Sequence, residues 1–290
     1  MRDTKINMES IFDVQSLRDW SNEWKRSGKT LAIVPTMGNL HSGHLSLLNR
    51  AKEIADRTVV SIFVNPIQFG QGEDYESYPS TVEEDLNKLE LAGVDAAFMP
   101  DLKELYPDGT AIDTRVTVPD ISDTLCGQFR KGHFSGVATV VAKLLINSMP
   151  NFALFGEKDF QQVLVIKRMV IDLLLPVQIV SMPTCREHDG LAMSSRNRYL
   201  NAQQRAVSPA IYETLTTAVQ ALKDGAMIIK DIESNGANSL LKCGMKVEYF
   251  SIRNQEDLSP AREGDRKLVV LTAAWLGVAR LIDNVKVDLV

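Results

Sequence analysis

The chain has 290 residues, 44% of them hydrophobic and 24% charged, and its 32 basic against 37 acidic residues give a formal net charge of -5. Such values suit an ordinary globular chain with one large domain, or a large and a smaller one, and the acidic balance argues against a protein held mainly on nucleic acid. No apolar run approaches the roughly 18 residues of a membrane span, no signal-peptide core opens the chain, and Cys126, Cys185 and Cys243 are too scattered for a disulfide framework or a cysteine zinc site. The expectation is a cytoplasmic enzyme or binding protein.

In chain order, residues 30–34 read as a short buried strand. Residues 42–54 carry Leu45, Leu48, Ala51 and Ile54 at three-residue steps, which predicts a helix with one apolar face. The β-branched run 58–64 predicts a second strand, 82–91 an acidic helix with Leu86, Leu89 and Ala92 inward, and 94–99 a third strand. Residues 137–149 predict a buried helix, 151–155 a strand, 160–174 a helix and 177–180 a last strand. Alternation of this kind implies an α/β fold with a parallel sheet, whose ligands bind beyond the carboxyl ends of the strands. Beyond about residue 191 the pattern changes to helices at 202–222 and 228–241, then strands at 246–252, 267–274 and 278–283. Two domains are expected: a Rossmann-like parallel-sheet domain over 1–184 and a smaller α+β domain over 185–290.

Four segments carry chemistry. Residues 34–44 read V-P-T-M-G-N-L-H-S-G-H: a strand ends, a glycine permits a turn, and His41 and His44 open a helix on one face. Helix starts favour anions, so the two imidazoles could face a nucleotide triphosphate. Two solvent-exposed histidines, or half a zinc site, are the alternatives, and zinc is disfavoured because only His133 and His188 remain as further histidines. Residues 63–70, F-V-N-P-I-Q-F-G, put Asn65 and Gln68 just past a strand, where amides suit the hydroxyls and carboxylate of a small acid or simply line a turn. Residues 155–162, F-G-E-K-D-F-Q-Q, place Lys158 to approach phosphate, with Asp159 a ribose partner or a capping acid. Residues 186–198 offer Ser194, Ser195 and Arg196 as donors to phosphate oxygens, or form a polar linker. The basic turn 130–136, R-K-G-H-F-S-G, is similarly open. Together, with no Walker-type loop and no G-x-G-x-x-G, these point to a nucleotide held for attack at its α-phosphate.

The H-x-G-H turn resembles the signature of the nucleotidylyltransferase and class I synthetase superfamily. The ordered set P-T-M-G-N-L-H-S-G-H, F-V-N-P-I-Q-F-G, G-H-F-S-G-V-A-T-V-V, F-G-E-K-D-F-Q-Q and D-G-L-A-M-S-S-R-N-R-Y-L, spanning 34–200, resembles the pantothenate synthetase family. That resemblance implies a reaction: ATP and pantoate form pantoyl-adenylate and pyrophosphate, then β-alanine attacks to give pantothenate and AMP. It implies that Met37, Gly38, Asn39, Leu40, His41, Ser42, Gly43 and His44 contact ATP, with His44 the proton donor and His41, Lys158 and Arg196 also catalytic. Gly156, Glu157, Lys158, Asp159, Met193, Ser194, Ser195 and Arg196 complete the ATP site, and Cys185 contacts adenine through its backbone. Gln68 and Gln162 hold pantoate, with Asn65 and His133 as further substrate ligands. Mg2+ near Asp85 and a homodimer are implied too. Ser80, Lys131, Phe160 and His188 depart from the family pattern. The rivals are a nucleotidylyltransferase that leaves the nucleotide on its product, and a non-catalytic nucleotide- or RNA-binding relative.

Overall fold

The structure, a computed structural model, describes residues 8–70, 72–225, 228–262 and 264–289. It divides into two compact units: Met1–Glu157 with Val165–Met182, and Lys158–Leu164 with Pro183–Val290. A single boundary is expected after residue 184; in the structure the second unit also takes residues 158–164, which end a 3-10 turn and begin a helix.

Among the described residues, the first unit holds β1 (Glu9–Ile11), α1 (Val14–Arg26), β2 (Leu31–Thr36), α2 (Ser42–Ile54), β3 (Arg57–Ile62), α3 (Val82–Ala92), β4 (Ala96–Phe98), α4 (Leu102–Leu105), α5 (Cys126–Phe129), α6 (His133–Ser148), β5 (Phe152–Gly156), most of α7 (Phe160–Asp172) and β6 (Gln178–Met182). Six strands form one parallel sheet in the order β1-β4-β3-β2-β5-β6. Leu31, Ala32, Ile33 and Val34 of β2 are buried, as a central strand covered on both faces requires. Leu48 and Ala51 of α2 and Leu89 of α3 pack with Val34, Val60 and Ala97 in one core. Of the face expected on α3, only Leu89 is fully enclosed; Leu86 and Ala92 are half-buried, and the polar Asp85 shares the interior. From β2 the chain order runs outward through β3 and β4 on one side and through β5 on the other. The loops after β2 and β5 therefore diverge, which opens the crevice where such sheets take ligands.

Neither β1 nor α1 is among the elements expected from sequence. Asp13 caps α1, its carboxylate accepting from the Ser16 N–H at 2.7 Å, and only Leu17, Trp20 and Ser21 of the helix are buried.

The second unit holds α8 (Ala202–Val207), α9 (Ala210–Asp224), α10 (Ile229–Lys242) and an antiparallel sheet of β7 (Lys246–Asn254), β8 (Lys267–Leu276) and β9 (Ala279–Asp288). The helix expected over 202–222 is two helices: Pro209, which has no N–H to donate, stands between them. Ile211 and Leu215 of α9 and Ile232 and Leu240 of α10 pack on Phe250, Val270 and Leu281 of the sheet. At the α10–β7 crossing a methyl group on Gly236 would lie 2.4 Å from the Phe250 ring, so only a glycine allows this approach.

Candidate active site

The turn after β2 is built around two left-handed residues, Gly38 at φ +79° and Asn39 at φ +51°. Glycine adopts that conformation without a steric penalty, and a methyl group at Gly38 would also sit 3.1 Å from a carboxylate oxygen of Asp85. Thr36 anchors the turn's start, its hydroxyl donating to Ser61 O at 2.8 Å and accepting from the Gly38 N–H at 3.1 Å. α3 clamps the rest. Asp85 accepts from the Asn39 and Leu40 N–H groups, each at 2.7 Å, and from the Thr81 hydroxyl at 3.1 Å, while Lys88 Nζ donates to Leu40 O at 2.9 Å.

His41 and His44 cap α2 reciprocally. His41 Nδ1 accepts from the Gly43 N–H at 3.1 Å, and His44 Nδ1 accepts from the His41 N–H at 3.2 Å. A nitrogen that accepts carries no proton, so the hydrogen of each ring belongs on Nε2. The rings lie 4.1 Å apart, tilted by 40°. The helix start thus spends two of its unpaired N–H groups on its own imidazoles, where the sequence reading offers them to an anion.

Asp85, the residue assigned to Mg2+ from the resemblance, does not fit that role here. Its side chain is buried and both of its oxygens already accept backbone N–H groups, with Lys88 Nζ 3.9 Å away as countercharge. Among the described residues no three His, Cys, Asp or Glu side chains cluster as a metal cage. Asp85 shapes the Gly38–Leu40 turn.

In the loop after β3, Asn65 opens a tight turn over Pro66–Gln68. Asn65 and Gln68 are both buried. Asn65 Nδ2 donates to Gly136 O at 3.1 Å and to Gln68 Oε1 at 3.2 Å; Gln68 Nε2 lies 3.0 Å from Met37 Sδ. The first unit thus brings Met37, Asn65 and Gln68 together directly.

His133 approaches the same turn from the start of α6, but both its ring nitrogens are engaged by protein. Nδ1 is 2.8 Å from Gln68 O, and Nε2 is 2.9 Å from Arg130 Nη1. A guanidinium can only donate and a carbonyl can only accept, so the ring donates from Nδ1 and accepts at Nε2. This geometry supports Gln68 from behind rather than reaching for substrate. Glu73 holds Arg130 in a two-pronged pair at 2.6 and 2.7 Å. Burial alone would raise the Glu73 pKa, but the Arg130 hydrogen bonds and charge outweigh it and hold the carboxyl below its ordinary range. Glu73 and Tyr106 carry no sequence signal of a role; only the fold brings them to this turn, Glu73 through Arg130 and Tyr106 through Asn65.

Gly136 lets α6 close on the turn. A methyl group there would fall 2.5 Å from Ile67 O and 2.7 Å from Gln68 N and Cα. All three are backbone atoms, so the helix must move. Gly136→Ala is therefore expected to cost about 3 kcal/mol, at the upper end for overpacking. It should also displace Gln68, raising the KM for the acid substrate. Thermal unfolding and steady-state kinetics check this; an unchanged Tm and an unchanged KM would refute the packing described.

After β5, Gly156 and Glu157 remain in the first unit, Glu157 accepting from the Ser181 hydroxyl at 3.0 Å. The second unit contains the remaining residues assigned from sequence. Lys158 Nζ pairs with Asp159 at 3.6 Å and its carbonyl accepts from Asn284 at 3.0 Å; Gln162 is half-buried on the first turn of α7. The stretch 186–198 is no loop of the parallel sheet. It belongs to a hairpin in which Arg186 bridges Ala192 and the Met193 N–H donates to Cys185 O at 2.9 Å. Ser194 then caps the turn Ser195–Tyr199, accepting from the Arg196 N–H at 3.3 Å. Arg186 braces the hairpin with a two-pronged pair to Asp283 at 2.6 and 3.0 Å and lies over the Tyr212 ring.

A profile of the pantoate-beta-alanine ligase family matches residues 9–286. The chain is 49% identical to the pantothenate synthetase of Pseudomonas aeruginosa strain PAO1 over 282 residues, covering 97% of this chain and 100% of the relative. It is 48% identical to that of Pseudomonas entomophila, covering 97% and 98%. The pantothenate synthetase of Thermus thermophilus superposes with a TM-score of 0.89 at 41% identity, covering 96% of this chain and 99% of that one. The pantoate-beta-alanine ligase of Francisella tularensis, solved in complex with β,γ-ATP and β-alanine, superposes with a TM-score of 0.80 at 34% identity, covering 96% and 97%.

Proposed function

The chain belongs to the pantoate-beta-alanine ligase family, and from that premise we propose how its residues divide the work of condensing pantoate with β-alanine at the expense of ATP. The observation that carries the proposal is the pair of imidazoles His41 and His44, 4.1 Å apart at the start of α2 and just beyond the end of β2, where the sheet order diverges.

In the first step a pantoate carboxylate oxygen attacks the α-phosphorus of ATP, and the bond to the pyrophosphate oxygen breaks. Met37, Gly38, Asn39, Leu40, Ser42 and Gly43 line the nucleotide along the clamped turn. His41 and His44 meet the charge that grows on departing pyrophosphate; His44, the residue expected as proton donor, does so by a hydrogen bond from Nε2–H. Lys158 and Arg196 offset charge on the phosphates, and Gly156, Glu157, Asp159, Cys185, Met193, Ser194 and Ser195 complete nucleotide recognition. Gln68 and Gln162 hold pantoate, while Asn65 and His133 keep Gln68 in place. In the second step the β-alanine amine attacks the acyl carbon, its nitrogen loses a proton, and AMP leaves with the bonding pair. A carboxylate would have to expel oxide; the adenylate expels AMP, so positioning and charge stabilisation suffice. Mg2+ belongs to this reading as a partner of the ATP phosphates, since such ions keep several waters and bind through substrate phosphates. Work in the cytoplasm as a homodimer belongs to it by the same family likeness.

Incubation with ATP, Mg2+, pantoate and β-alanine, each omitted in turn, tests the proposal. AMP and pantothenate should appear in equal amounts and only in the complete mixture. AMP absent, or formed without regard to β-alanine, overturns it.

A further inference from the structure

Tyr106, with 1% of its surface exposed, lies directly behind the Asn65–Gln68 pair. Its hydroxyl donates to Asn65 Oδ1 at 2.9 Å. The orientation of this chain of groups is forced by chemistry. Gly136 O can only accept, so the Asn65 amide must turn its NH2 toward it and its oxygen toward Tyr106. The second N–H of that NH2 then points at Gln68, whose facing atom must be Oε1. The Gln68 carbonyl is thus used inside the protein, and its NH2 is the end set beside Met37.

The phenol is itself braced. Lys143 Nζ lies 4.2 Å from the Tyr106 ring centroid, donates to the carbonyl of the preceding Leu105, and pairs with Asp113 at 2.8 Å. Burial first, and the Asp113 charge second, push the phenol above its usual pKa, so it remains a donor throughout the neutral range.

We propose that Tyr106 is a positioning residue for acid recognition: through Asn65 it holds the Gln68 amide with N–H, rather than C=O, toward the substrate. The inference rests on the reading of Gln68 as a pantoate ligand and deepens it. Gln68 would then select acceptor oxygens, the carboxylate or hydroxyl oxygens of pantoate. A turned amide would set a carbonyl against the same oxygens and repel them.

Steady-state kinetics of the full chain, varying pantoate, ATP and β-alanine separately, tests it. Tyr106→Phe removes one oxygen and leaves Asn65 Oδ1 buried without its donor. The pantoate KM should rise by about tenfold, the size expected for one buried unsatisfied acceptor, with the ATP KM within about twofold of the parent. Asn65→Asp replaces the NH2 by an acceptor facing Gly136 O and Gln68 Oε1, and should raise the pantoate KM further. In the Gln68→Ala background, Tyr106→Phe should no longer alter the pantoate KM. A purely structural Tyr106 would instead move all three KM values together with Tm, in either background, and that result overturns the proposal. A large effect of Gln68→Ala with none from Tyr106→Phe or Asn65→Asp also overturns it, while leaving the role of Gln68 intact. If Gln68→Ala itself spares pantoate, the reading of Gln68 fails first.

Discussion

His44→Ala is expected to slow pyrophosphate release from ATP and pantoate by about 10²–10⁴-fold, the range for losing a positioned donor that meets developing charge. Two effects are mixed in that substitution, and their sizes separate them. His44 Nδ1 caps the His41 N–H, and losing a cap costs about 1 kcal/mol of stability. The kinetic loss corresponds to roughly 2.7–5.5 kcal/mol of barrier, so capping alone falls short. His44→Asn divides the two experimentally. Its amide oxygen can accept the same N–H, but it has no imidazole Nε2–H to hydrogen-bond the leaving group. Tm should return close to the parent value while the rate stays depressed. Should His44→Asn restore the rate with the cap, His44 is a structural residue and the leaving group is met by another donor.

Much of this arrangement is legible in the sequence, for physical reasons that vary from element to element. The strand at Arg57–Ile62 announces itself as a β-branched run, and the start of α2 by a glycine turn followed by histidines at helical spacing. α1 escapes the reading although Asp13 three residues before Ser16 is a capping signal, because its buried stripe is only Leu17, Trp20 and Ser21. β1 is three residues long and offers too little alternation to read. Pro209 does signal a break in the helix expected over 202–222, since proline lacks the donor that a helix interior needs. Gln68 and Asn65 are visible as amides past a strand, but their division into donor and acceptor ends is not. That depends on Gly136 and Tyr106, which lie 71 and 41 residues from Asn65 in sequence and meet it only in the folded chain. Asp85 shows the same limit from the other side: the family resemblance alone puts Mg2+ near it, and only the fold reveals what its carboxylate already holds.

Asp85→Asn is accordingly expected to damage the nucleotide turn without any metal being involved. The carboxylate satisfies two backbone N–H groups at 2.7 Å, one on each oxygen. An amide has one acceptor end, so one N–H must face an NH2 inside a buried site. Hydrogen bonds to a charged acceptor contribute about 1.5–3 kcal/mol each, and the Lys88 ammonium also loses its buried countercharge. A loss of about 3 kcal/mol follows, lowering Tm by roughly 6–12 °C in a chain of this size. The Gly38–Leu40 turn loses its clamp, so the ATP KM should rise more than the pantoate KM, the reverse of the Tyr106→Phe pattern. Metal titration distinguishes this account from a cation site. If Asp85 serves the turn alone, Mg2+ without nucleotide leaves the Tm of the parent protein unchanged, and EDTA does the same. A Tm that climbs with free Mg2+ in the parent and not in Asp85→Asn would return Asp85 to the metal.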